Sequence, residues 1–189
     1  MITSGYELTT AITNVFIFLV SLFCYIKVNN KPWKNFFLFM CIDSFLGVIA
    51  HGIVMNKIVN DFLWIIISVL FTITINLFLN IILNIKMKHI ILLSTTLSLI
   101  MLSQLFLNMN FLLTFTIYVL LIIIISVYYV IKKNLKNKYY ILLGFLFQII
   151  GGILLLCRVK IGLFNYNGIY HLFTTISLIP FYLGAQKKD

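Results

Sequence analysis

Long apolar runs separated by short polar gaps make up most of the chain. A helix needs about 20 mostly apolar residues to cross roughly 30 Å of hydrocarbon. The runs are continuously apolar rather than alternating, which excludes a strand barrel. Seven runs are long enough to predict membrane-spanning helices: Thr10–Val28, Asn35–Met55, Phe62–Leu83, Ile90–Leu107, Phe111–Ile131, Tyr139–Cys157 and Gly168–Ala185.

The composition makes lipid, not water, the expected solvent. Hydrophobic residues are 62% of the chain and charged residues 10%, against about 45–50% and about 25% in soluble domains. The formal charge of +10 does not indicate a nucleic-acid partner, because the bases lie in the gaps between apolar runs rather than on one polar face. Three cysteines with irregular spacing predict small apolar fillers rather than a disulfide framework: Cys24, Cys41 and Cys157.

The bases also predict the orientation of the spans. One side carries eleven of the 14 bases and the other carries only Lys57, Arg158 and Lys160. Because cytoplasmic loops are enriched in Lys and Arg, the N-terminus should be outside and the C-terminus cytoplasmic, which requires an odd number of spans. We therefore predict one all-α domain over residues 1–189, a seven-transmembrane-helix bundle integral to the cell membrane, with membrane lipid as its partner.

The second span contains the densest set of polar groups. Ionisable side chains inside a bilayer cost several kcal/mol unless they are paired or hydrated. Asp43, Gly47 and His51 are spaced i, i+4, i+8 and share a face, and Ser44 lies close to them in angle. Two interpretations remain open: a functional site, or an Asp43 that pairs with a neighbouring amide and a His51 that caps a wet boundary.

The seventh span begins on the same side with a second polar group. Asn167 and His171 are spaced i, i+4, and His171 should lie at the depth of His51. Glu7, before the first span, and Asp61, opening the third, fall at the same level. Two histidines with a carboxylate would suit a zinc ion bound at about 2.0–2.2 Å. The remaining histidine, His89, is predicted to be a solvated residue on the cytoplasmic side.

Two further stripes are predicted to face other helices. The third span carries polar residues at every fourth position, which indicates either interhelical hydrogen bonds or a hydrated passage: Ser68, Thr72, Asn76, Asn80 and Asn84. The sixth span carries small residues that favour close helix approach: Gly144, Gly151 and Gly152, with Gln148 between them.

Three motifs resemble those of the CREST superfamily of seven-helix membrane hydrolases, which includes the alkaline ceramidases, and more closely an uncharacterised bacterial branch of it. The motifs are a Glu with a Thr-rich helix start (Glu7–Thr13), a Gly-x-x-x-His-Gly segment (Gly47–Gly52), and an Asn-rich start to the last span with a His (Phe164–His171), followed by an aromatic pair before a small residue (Phe181–Ala185). The resemblance covers the whole topology.

The resemblance implies a zinc-dependent hydrolase acting on a lipid amide or ester. It assigns His51 and His171 as zinc ligands and Asp61 as the residue that positions the zinc-bound water. Two positions depart from the family pattern, since Asn167 stands where a histidine ligand is expected and Gly47 where a serine is expected. Either Glu7 or Asp61 completes the site, or this member has lost catalysis; Asp43 and Ser44 are further catalytic candidates.

Two other functions remain open. A non-catalytic seven-helix protein would bind a lipid headgroup or small ligand in the same polar group, and the missing third histidine favours it. A small transporter is suggested by Asp43 and the third-span stripe, although no inverted repeat is visible. A cysteine peptidase is a weaker alternative, because only Cys157 falls near the histidines. The sequence leaves the substrate and the oligomeric state open.

Overall fold

The computed structural model describes residues 5–83, 111–133 and 137–186. Within these ranges the regular secondary structure consists of helices, without strands. Ile161 and Phe164 form an isolated bridge in the turn before the last helix. The described helices are α1 (Gly5–Lys27), α2 (Lys31–Gly52), α3 (Lys57–Leu83), α4 (Phe111–Lys133), α5 (Lys138–Leu156) and α6 (Tyr166–Gln186).

The helices confirm the predicted all-α class and six of the predicted runs, with ends within about five residues. The fourth run, Ile90–Leu107, lies outside the described residues, as do Asn84 and His89. Among the residues described, five helices are long and apolar enough to cross a membrane: α1, α2, α3, α5 and α6.

The six helices pack in chain order as a closed ring. Each contacts the next along the sequence, and α6 returns to contact α1. Hydrogen bonds fix α1 and α6 as parallel neighbours: Thr10 Oγ1 donates to Asn165 Oδ1 at one end (3.1 Å), and Gln186 Nε2 donates to the Lys27 carbonyl at the other (3.4 Å). We call the first of these the histidine end, which also holds His51, and the second the lysine end.

The polarity of the exposed and buried faces of α1 is the reverse of that in a helix of a soluble protein. Its buried face carries hydroxyl and amide side chains, whereas its exposed face is a continuous apolar stripe at helical spacing: Ile12, Phe16, Leu19, Phe23 and Ile26. A helix that hides its polar groups and exposes its apolar ones is stable against lipid, where the buried polar groups find partners on neighbouring helices.

Aromatic side chains cluster in the lysine half of the bundle, around a cavity of about 90 Å³. The Phe181 ring of α6 lies 4.9 Å from Phe78 of α3 and 5.6 Å from Phe145 of α5, measured between ring centroids. Trp33 and Phe36, from the first turns of α2, join the same cluster. α2 starts at this point because the Asn30 side chain accepts a hydrogen bond from the Trp33 backbone and Pro32 follows the cap.

The predicted small-residue stripe is confirmed as a close-packing surface. A Cβ atom added to Gly144 would lie 2.3 Å from Phe181, and one added to Gly151 would lie 2.8 Å from Phe173. Both contacts are with α6, so glycine at these positions lets α5 and α6 approach more closely than any larger residue permits.

The polar stripe of α3 is partly buried, and three of its donors bond within the helix, while the choice between interhelical bonds and a hydrated passage stays a prediction. Thr72 and Asn76 are buried, as a stripe facing other helices should be. Their donors, however, bond back to their own helix: Ser68 Oγ to the Trp64 carbonyl, Thr72 Oγ1 to the Ser68 carbonyl, and Asn76 Nδ2 to the Thr72 carbonyl. The carbonyl four residues earlier is always within reach of such side chains, so α3 itself accepts from these three donors.

Candidate functional site

A carboxylate–imidazole pair joins the first two helices at the histidine end. Glu7 lies in the first turn of α1 and His51 in the last turn of α2, and His51 Nδ1 is 2.7 Å from Glu7 Oε2. The His51 side chain is 12% exposed and that of Glu7 is 53% exposed. The pair therefore connects a mostly enclosed imidazole to a carboxylate at the surface.

The second imidazole is held by α1 as well. His171 lies one turn into α6, and its Nδ1 is 3.3 Å from Thr13 Oγ1. The hydroxyl hydrogen of Thr13 is already committed, because Thr13 Oγ1 donates to the Thr10 carbonyl at 2.9 Å. Toward His171 the Thr13 oxygen can therefore act only as an acceptor.

The hydrogen-bond network assigns one tautomer to both rings. Glu7 and Thr13 each accept at Nδ1, so Nδ1 of both His51 and His171 carries a hydrogen. In a neutral imidazole the other nitrogen, Nε2, then carries the lone pair. Both Nδ1 atoms face α1, which directs the two Nε2 lone pairs away from it.

The two imidazoles belong to one cluster of contacting side chains. Their ring centroids are 6.1 Å apart, and the Trp64 ring of α3 packs edge-on to His51 at 5.1 Å. We call Glu7, Thr13, His51, Trp64 and His171 the histidine pocket. It brings together α1, α2, α3 and α6.

Two of the sequence-predicted residues, Asp61 and Asn167, are not shown in contact with either imidazole. Asp61, in the second turn of α3, is 2.5 Å from Lys57 Nζ in an exposed i, i+4 ion pair. Asn167 lies in the first turn of α6, one turn before His171, and is partly buried. The structure thus joins Glu7, rather than Asp61, to His51.

The candidates deeper in α2 do not join the histidines. Ser44 Oγ donates to the Met40 carbonyl at 2.7 Å, so its hydroxyl is satisfied within the helix. Asp43 Oδ1 is buried and has no hydrogen-bond partner among the described residues. Asp43 lies eight residues from His51, about 12 Å along the helix axis.

Sequence reasoning missed Thr13, Asn165 and Trp64. Asn165 caps α6 by accepting from the Gly168 backbone at 2.8 Å and also accepts from Thr10, which fixes the start of α6 beside α1. The Thr-rich start of the first span was a signal for Thr13. No local pattern distinguishes Trp64 from other apolar residues of the third span, because its contact with His51 is tertiary.

The described residues supply only part of the zinc site that the resemblance implies. A catalytic zinc ion is usually bound by three protein ligands, and no group of three His, Cys, Asp or Glu side chains within the described ranges is placed to hold a metal. Two imidazoles are present, while the Glu7 carboxylate is engaged at His51 Nδ1. This set is incomplete for zinc, and zinc binding stays a prediction.

Comparisons with known proteins identify a family without assigning an activity. No curated protein and no solved structure matches the chain. Residues 9–189, which include both histidines and all but the first turn of α1, match the model of a family of unknown function (DUF6962). The chain belongs to that family.

Proposed function

We propose that this protein is a membrane-integral hydrolase of a lipid amide or ester, with its reaction centre in the histidine pocket. The observation that carries the proposal is the pair of imidazoles, 6.1 Å apart, whose Nδ1 atoms are both held by α1. The resemblance to the CREST superfamily supports the same class of reaction. The proposal includes the full seven-span topology, with the pocket on the outer side.

The pocket suits the activation of a water molecule. Two Nε2 lone pairs accept hydrogen bonds from the two hydrogens of one water, which leaves its oxygen lone pair directed at a bound carbonyl. As the water oxygen bonds to the carbonyl carbon, His51 Nε2 takes the proton. Glu7 stabilises the imidazolium that forms, as a carboxylate at Nδ1 does in other histidine-based hydrolases.

The same proton completes the reaction. The tetrahedral intermediate collapses as the C–N or C–O bond breaks, and His51 Nε2 returns the proton to the departing amine or alkoxide. The products are a carboxylic acid and an amine or alcohol. A lipid is the expected substrate, because the pocket lies at the end of helices whose outer faces are apolar.

The test is hydrolysis by the purified protein in lipid vesicles, using fluorogenic amide and ester lipids. We expect wild type to release fluorophore, and His51→Ala and His171→Ala each to lower the rate by about 10²-fold or more, as for loss of a general base. His89→Ala is the matched control, because it removes the histidine predicted to lie on the cytoplasmic side. Equal rates in all four proteins would overturn the proposal.

A non-catalytic binding protein is the second candidate, and the incomplete zinc set favours it. It predicts that wild type retains a lipid through purification, that His51→Ala loses it, and that no lipid in the panel is hydrolysed. Mass spectrometry of the retained lipid, run beside the hydrolysis assay, separates the two functions.

A further inference from the structure

The lysine end carries a strongly basic surface. Six lysines of the described ranges lie there, at the ends of α1 and α4 and at the starts of α2 and α5: Lys27, Lys31, Lys34, Lys132, Lys133 and Lys138. The carboxylates of the described ranges lie elsewhere. Glu7 and Asp61 are in the first two turns of α1 and α3, at the histidine end, and Asp43 is about 18 Å along α2 from Lys31. The positive charge of this surface therefore has no described carboxylate beside it.

Exposed tyrosines hold two of these lysines. Lys132 Nζ lies 5.5 Å from the centroid of the Tyr128 ring on α4, and Lys138 Nζ lies 5.0 Å from that of Tyr139 on α5. An ammonium group is attracted to an aromatic face at this distance. The two tyrosines are 57% and 73% exposed, and exposed tyrosines of membrane proteins favour the depth of the lipid headgroups. We call these four residues the lysine–tyrosine surface, which presents ammonium groups and phenol hydroxyls together.

An exposed apolar stripe leads to each half of the lysine–tyrosine surface. The side chains of the two stripes are at helical spacing with the tyrosines, on helices that pack against each other: Leu121, Ile124 and Ile131 on α4, and Leu143 and Leu146 on α5. Leu121 precedes Lys132 by eleven residues, which is about 16 Å of helix. One leaflet contributes about 15 Å to the hydrocarbon core. The stripe and its lysine therefore match the chains and the headgroup of one lipid in length.

We infer that the lysine–tyrosine surface binds an anionic phospholipid, with the headgroup phosphate at Lys132 and Lys138 and the acyl chains along the two stripes. The headgroup is one with a net negative charge, such as phosphatidylglycerol. Phosphatidylcholine carries its own cation, which the lysines of this end repel. Each lysine near the membrane surface favours an anionic lipid by about fivefold. The site does not depend on the hydrolase proposal, because it shares no residue with the histidine pocket.

The test is native mass spectrometry of the full chain, released from micelles that contain equal amounts of phosphatidylglycerol and phosphatidylcholine with the same acyl chains. We expect wild type to retain phosphatidylglycerol at least about tenfold over phosphatidylcholine, and Lys132→Gln and Lys138→Gln each to lower this ratio about fivefold. Lys132→Arg keeps the charge and should keep the ratio. The matched control is Arg158→Gln with Lys160→Gln, which removes two charges before α6 at the histidine end and should leave the ratio unchanged.

Two comparisons separate a lipid site from a general effect of charge. The double variant Lys132→Gln with Lys138→Gln has the same net charge as the histidine-end control, so equal losses in both would overturn the inference. Free glycerol 3-phosphate in excess should leave the lipid bound, because it lacks the acyl chains, and displacement by it would overturn the lipid assignment. The wild-type ratio needs no variant, so a ratio near one overturns the inference even if the variants do not fold.

Discussion

Substitution of Gly144 by alanine tests the packing that sets the position of α6, and with it His171. The new Cβ would lie 2.3 Å from Phe181 Cε1, 2.6 Å from Cδ1 and 2.7 Å from Cζ, so it meets the ring itself. Phe78 and Phe145 lie 4.9 and 5.6 Å from the ring, and all three rings border a cavity of about 90 Å³. Either the Phe181 ring must move toward this cavity or one of the two helices must shift.

The size of the effect follows from two opposing terms. Overpacking a filled core costs about 1–3 kcal/mol. Replacing glycine by alanine in a helix returns about 0.5–1 kcal/mol through lower backbone entropy of the unfolded chain. The expected net loss is about 1–2 kcal/mol, which lowers the Tm of a chain of this length by roughly 2–8 °C.

Gly152→Ala is the matched control on the same helix. Its new Cβ would meet Leu120 Cδ2 at 3.8 Å, an ordinary contact, so only the favourable entropy term applies and the Tm should stay equal or rise. Thermal unfolding of both variants in detergent, followed by tryptophan fluorescence, measures the difference. Equal Tm values for Gly144→Ala and Gly152→Ala would refute the packing argument.

Three further predictions address the histidine pocket. Thr13→Val should remove the acceptor at His171 Nδ1 and populate the other tautomer, which changes the imidazole ¹⁵N chemical shifts. Thr13→Ser keeps the hydroxyl and should give the wild-type spectrum. Identical spectra for the three proteins would contradict the tautomer assignment. Asp61→Asn should change the free energy of unfolding by no more than about 1 kcal/mol, as for an exposed ion pair. It should also leave the hydrolysis rate unchanged. A loss of activity would instead support the role that the resemblance gives to Asp61. Metal analysis of the purified protein decides the zinc prediction. One zinc per chain, lost in His51→Ala, would mean that a third ligand completes the site. An active protein without metal would support catalysis by the two imidazoles and Glu7 alone.

The helices were predictable because apolar runs of spanning length have few alternatives in lipid, yet their first turns were not. α3 begins at Lys57 rather than Phe62, and α2 at Lys31 rather than Asn35. In both cases charged residues interrupt the apolar run in the first turn, while a local feature stabilises that turn: the Lys57–Asp61 pair in α3 and the Asn30 cap in α2. A search for apolar length does not detect these features.

The sequence allowed us to predict which helix faces carry the candidate site, but not which side chains hydrogen-bond to one another there. Helical spacing placed His51 and His171 at one depth, and the structure brings their rings to 6.1 Å. The choice between Glu7 and Asp61 was open, because both fall at that depth. Only the packing of α1 against α2 and α6 brings Glu7 and Thr13 to the two imidazoles, and the sequence pattern does not contain that arrangement.

The most direct test of the central claim is whether both imidazoles are needed for one reaction. The double variant His51→Ala with His171→Ala is compared with each single variant in the vesicle hydrolysis assay. If the two rings hold the same water, the double variant should be no slower than the slower single variant, within about threefold, because groups that act as a unit are not additive. Independent, multiplying losses, or full activity in either single variant, would contradict the account.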